Sequence, residues 1–183
     1  IPVSDTSGAV RDALPLLGGQ LARFQAAYPV WSKFAAGFML LFTGMCAGRI
    51  TIRYNLYTVG TCLPIPLYAI VACGIATGGN YLAGFAASML LALATKNYCR
   101  AFCNGYGFDA IFRASLYLGL MPLVYAPALP LLLLLPLAVL LFRRTFREVV
   151  VATAGLLLPI FTACYVSWGS GAEFTAPLVT VGQ

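Results

Sequence analysis

Forty-two consecutive residues, Tyr54–Thr95, carry no charged side chain. A domain of 183 residues has too little interior to hide such a run together with its neighbours. Three more stretches are also free of charge: Phe34–Gly48, Ala114–Phe142 and Val149–Ala172. Charged residues make up 9% of the chain and apolar ones 61%, where an ordinary soluble domain has roughly 25% charged. This composition excludes a soluble globular domain, and it excludes disorder, which needs low hydrophobicity and high charge. The fold class that remains is all-α, a polytopic transmembrane helical bundle, because lipid tolerates only a backbone that satisfies its own hydrogen bonds.

A span needs about 20 apolar residues, and on that measure the chain divides into about six membrane segments. The first is 31–48, lengthened by Trp31 and Lys33, which favour the interface. The 42-residue run holds two, 54–77 and 81–95, parted at Gly78-Gly79-Asn80, with a kink expected at Pro64 and Pro66. Small residues (Gly84, Ala86, Ala87, Ser88) suit close helix packing in the second. Ala114–Phe142 is too long for one span, at ~43 Å of helix, and too short for two. Its four prolines, Pro122, Pro127, Pro130 and Pro136, point to a break at 126–130 and a hairpin of two short helices, 114–126 and 130–142. The last span is 149–168. Residues 31–172 thus form the helical domain. Ahead of it, residues 1–30 repeat apolar side chains at helical spacing and read as an amphipathic, interfacial segment that Pro15 and Gly18-Gly19 weaken. The start at Ile1 in place of Met reads as a cleaved or an incomplete N-terminus, and 173–183 as a C-terminal tail open to truncation.

Basic residues set the orientation. Arg49 and Arg53, then Lys96, Arg100 and Arg113, then Arg143, Arg144 and Arg147 fall on one side only if 114–142 turns back on itself. The positive-inside rule makes that side cytoplasmic and places both termini outside. The net charge of +6 therefore points to anionic lipid headgroups as the partner, and not to nucleic acid.

The densest polar stretch is Lys96–Arg113. Lys96, Arg100 and Arg113, with Arg143, Arg144 and Arg147 of the next basic turn, are the candidate contacts for lipid headgroups or phosphate, since guanidinium binds phosphate by a bidentate fork. An ordinary cytoplasmic loop has the same composition, so anchoring is favoured over substrate binding. Asp109 and Arg113 are spaced to pair on one helix face, and Asp109 is also placed to cap that helix. The chain has no histidine, which removes Ser–His hydrolysis and His metal or haem ligation. Cys99 and Cys103 share a helix face, but two thiols fall short of a structural metal site. No catalytic residue, cofactor or metal is expected. The absence of a charge inside any span counts against an ion-coupled transporter.

Residues 108–177 resemble a family of multi-span inner-membrane proteins of Bacteroidota with no established activity. The similar features are Gly119, Tyr125 and Pro127, a Leu-rich helix, the turn Arg144, Phe146, Arg147, Glu148, and Gly155 with Pro159. The resemblance implies an inner-membrane location, the hairpin and further spans beyond this point. The functional expectation is a non-enzymatic membrane subunit or scaffold of a bacterial envelope assembly, with other membrane subunits as partners. The alternatives are an enzyme or flippase handling a lipid-linked phosphate at 96–113, and a transporter.

Overall fold

The computed structural model describes residues 16–54, 64–76, 80–103, 107–133 and 146–169, with isolated positions 171, 174, 175 and 177. All regular structure among them is helical: α1 (Leu16–Ala27), α2 (Pro29–Arg53), α3 (Pro64–Ala76), α4 (Tyr81–Cys103), α5 (Phe108–Val124), a 3₁₀ segment (Ala126–Leu133) and α6 (Phe146–Gly169). The all-α class is thereby established.

Local chemistry explains most of the boundaries. Pro29 opens α2 and Pro64 opens α3, positions where a missing N–H costs nothing. The kink expected at Pro64 and Pro66 is therefore a helix start. α1 runs unbroken through Gly18-Gly19, against expectation; Gly18 is buried, and Leu21, on the same helix, packs on a core of Ala36, Ala72, Leu82 and Phe85. Tertiary contact there outweighs the ~1 kcal/mol propensity cost of each glycine. α4 begins just after Asn80, but Gly78 and Gly79 lie outside the described residues.

The expected break in 114–142 falls at Tyr125, whose backbone is extended (φ −144°, ψ 101°). Pro127 has no N–H to donate and disfavours helical backbone at Ala126. Beyond Tyr125 the chain winds into a 3₁₀ helix through Pro127 and Pro130, and not into an α-helix starting at 130. Leu132 comes back onto the core of Ala94, Ala101, Ala110, Ile111, Leu118 and Ala152. Residues 134–142 of the expected second arm lie outside the described residues.

Side-chain pairs give each helix its direction. Ser32 meets Tyr81, and Ala36 shares a cluster with Leu82 and Phe85, so α2 and α4 are parallel. Gly48 meets Ile65 while Ala36 shares a cluster with Ala72, so α3 is antiparallel to both. Tyr98 meets Ser115 and Ala101 lies by Ala110, so α5 is antiparallel to α4. Ser115 meets Gly155 and Gly119 meets Pro159, so α6 runs parallel to α5. Val124 and Phe146 therefore lie at opposite ends of the bundle.

Among the described residues two helices, α2 and α6, are long and apolar enough to cross a membrane, against an expectation of about six. α5, bounded by Gly107 and Tyr125, has 17 residues, about 26 Å of helix, under a ~30 Å hydrocarbon core. The apolar part of α4 ends at Thr95, because Lys96, Asn97 and Arg100 occupy its last turns.

Candidate functional site

The helix directions gather the cations. Arg49 and Arg53 end α2, Lys96 and Arg100 lie in the last turns of α4, Arg113 is in the second turn of α5, and Arg147 opens α6. All six share one end of the bundle and all six are exposed. Of the described cations, only Arg23 and Lys33 belong to the other end. Arg143 and Arg144 lie outside the described residues. Arg53 and Arg100 sit in C-terminal turns, where the helix dipole favours a positive charge.

The site residues are brought to one level and not into one pocket. On α4 the face toward α5 carries Ala94, Tyr98 and Ala101, and Lys96 and Arg100 project away from it. Arg113 donates from Nε to Asp109 Oδ1 at 3.0 Å in an exposed i,i+4 pair. The N-cap of α5 is Gly107, with no side-chain cap, so Asp109 stabilises the first turn by its charge and its pairing instead of capping it. Cys99 is half-buried on α4, and among the described residues no group of three or more metal-ligating side chains converges.

One residue at this end has an environment that its place in the sequence does not reveal. Glu148 stands just outside the expected last span. It lies instead in the first turn of α6 and is 2% exposed. Phe146 and Arg147 just before it are exposed, so burial comes only with the helix turning Glu148 inward. A carboxylate placed there is favoured by the positive end of the helix dipole. It takes part in a polar contact within the fold.

The other end is aromatic. Trp31 stacks obliquely on Phe34 at 6.4 Å, and Tyr165 on Trp168 at 6.2 Å. An apolar groove there, lined by Phe24, Tyr28, Trp31, Phe34, Ala35 and Phe38, opens on the outer surface between α1 and α2.

Between the ends the arrangement reverses that of a soluble domain. The buried positions are dominated by Ala, with Gly119, Gly155, Ser32 and Ser115. Leu82, Phe85, Leu118 and Met121 are buried as well, but many large apolar side chains face outward: Phe34, Phe38, Leu41 and Met45 on α2, Phe161 and Tyr165 on α6, all 60–71% exposed. Only 33% of the most apolar stretch of α2 and 22% of that of α6 is buried. Hydroxyls inside the helices are satisfied locally. Thr43, Thr51, Thr153 and Thr162 each donate to the carbonyl four residues back.

Comparison with known protein families, with curated proteins and with solved structures gives no match.

Proposed function

We propose that this chain is a multi-pass integral protein of a bacterial inner membrane, acting without catalysis as a subunit or scaffold of an envelope assembly. The observation that carries the membrane reading is the surface of α2. Trp31, Phe34, Phe38, Leu41 and Met45 form one exposed stripe that begins at a Trp and ends at Arg49, a rise of roughly 27 Å. α6 repeats the pattern in the opposite sense, from Arg147 to Trp168, roughly 32 Å. Both match a hydrocarbon core of ~30 Å, with Trp at one interface and Arg at the other.

In this reading the shorter helices α3, α4 and α5 cross beside α2 and α6, and the return between Val124 and Phe146 makes a sixth pass. The six-cation end is cytoplasmic. Lys96, Arg100, Arg113 and Arg147, with Arg143 and Arg144, meet the headgroup layer as anchors. A scaffold role is supported by packing through small residues and by outward positions of the cations that converge on no cavity. Membership of the Bacteroidota inner-membrane family that residues 108–177 resemble belongs to the same proposal.

The test is extraction and labelling. Alkaline carbonate should leave the protein in the membrane pellet, and release into the supernatant overturns the reading. In a cysteine-free background, an impermeant maleimide added to intact cells should label Asn80→Cys and spare Phe146→Cys. The reverse pattern overturns the orientation.

A further inference from the structure

Arg113 is held by Asp109, and Arg147 opens α6, which packs on α5. The remaining cations of that end stand differently. Arg49 and Arg53 are four residues apart on α2, and Lys96 and Arg100 are four apart on α4, so each pair shares a helix face. Neither helix contains an acidic residue. The two helices are parallel and packed, and Ser32 opposite Tyr81 sets an offset of 49 positions between them. Carried along both helices, that offset sets Arg49 and Arg53 within about 3 Å in height of Lys96 and Arg100. Both pairs lie at helix C-termini, whose carbonyls add no positive charge of their own, so the side chains alone must attract an anion.

Resting on the membrane reading above, we infer that Arg49, Arg53, Lys96 and Arg100 form one binding surface for the phosphate of an anionic phospholipid, and that Arg113 is not part of it. Two guanidinium groups on α2 and a Lys–Arg pair on α4 present forks and point charges at headgroup depth. The outward stripe of α2 that leads to Arg49 supplies the surface along which the acyl chains lie. The charge-neutral pair Asp109–Arg113 offers no comparable attraction.

The experiment is native mass spectrometry of the full chain in detergent, with added phosphatidylglycerol or phosphatidylcholine. Wild type should retain phosphatidylglycerol preferentially. Each single change to Gln among the four should cut that preference roughly fivefold, which corresponds to ~1 kcal/mol per cation at a membrane surface. Arg49→Gln/Arg53→Gln should lower it further, Arg49→Lys/Arg53→Lys should restore most of it, and Arg113→Gln should leave it at the wild-type value. An unchanged preference in the Arg49→Gln/Arg53→Gln protein, or a loss in Arg113→Gln as large as in the four, overturns the inference. Full displacement of the lipid by millimolar inorganic phosphate would assign the surface to a soluble anion and overturn it as well. Carbonate extraction keeps the two proposals apart: a protein that stays in the pellet but shows no lipid preference refutes this inference alone.

Discussion

Ser32 Oγ and the Tyr81 hydroxyl lie 2.6 Å apart, joining the first turns of two parallel helices. Ser32 already donates to the Pro29 carbonyl at 2.9 Å, so Tyr81 is the donor of the interhelical bond. The same construction recurs between α3 and α4, where Ser88 donates to the Phe85 carbonyl and accepts from Tyr68 at 2.8 Å. A third Tyr–Ser pair, Tyr98 and Ser115, approaches to 3.5 Å between α4 and α5. α4 contributes one partner to each of the three and is the hub of the bundle.

Tyr81→Phe should lower stability by about 0.6–1.7 kcal/mol, the range for interhelical hydrogen bonds in membranes. Ser32→Ala should cost more, because it leaves the half-buried Tyr81 donor without its acceptor and empties a fully buried position. Unfolding in mixed micelles, completed as a double-mutant cycle, measures both. Additive losses would show that the two hydroxyls do not act as a pair.

Gly119 and Gly155 hold α5 and α6 in backbone contact. A methyl group on Gly119 would run into the Leu156 carbonyl oxygen and lie 2.9 Å from the Pro159 ring. One on Gly155 would lie 2.8 Å from the Phe112 carbonyl oxygen. Either Gly→Ala change should cost about 1–3 kcal/mol by overpacking. Gly37 on α2 has nothing within 4 Å, so Gly37→Ala should be neutral or gain up to ~1 kcal/mol from helix propensity. Thermal shift of the three purified variants separates packing from propensity.

The Asp109–Arg113 pair is exposed, so Asp109→Asn should cost no more than ~0.5 kcal/mol, and that cost should vanish in high salt. Unfolding at two ionic strengths checks it. A larger, salt-independent loss would give Asp109 a role beyond this pair.

Under the anchoring reading, Arg100→Ala should complement a deletion strain at normal membrane levels. Complete loss of complementation, with topology and abundance unchanged, would replace that reading with an enzyme or flippase acting on a lipid-linked phosphate.

Part of this architecture could be read from residue order because charged residues are so few. Charge-free windows overlap α2 to α6 without giving their bounds, and the spacing of Asp109 and Arg113 foretold their pairing. The grouping of Arg49, Lys96, Arg113 and Arg147 at one end came from requiring the chain to double back after α5. What stayed hidden depends on packing across distance. Glycines 18 and 19 look like helix breakers until Leu21 is seen on its core. Glu148 looks like part of a basic turn until α6 is seen to begin two residues before it. The 3₁₀ path through Pro127 and Pro130 satisfies the same proline constraints as a sharp hairpin turn, so composition did not choose between them. The four-cation surface also escaped notice, because the offset that levels α2 with α4 is a tertiary quantity.

The parallel alignment of α5 and α6 has a consequence for biogenesis. Consecutive antiparallel helices can pair as soon as both have been made, but these two cannot. Gly119 has no partner until the chain has returned to the cationic end and α6 has been laid down in the same sense. This seam therefore closes only after the chain has run past Pro159, and a chain cut short before that residue would hold α5 with its glycine face bare.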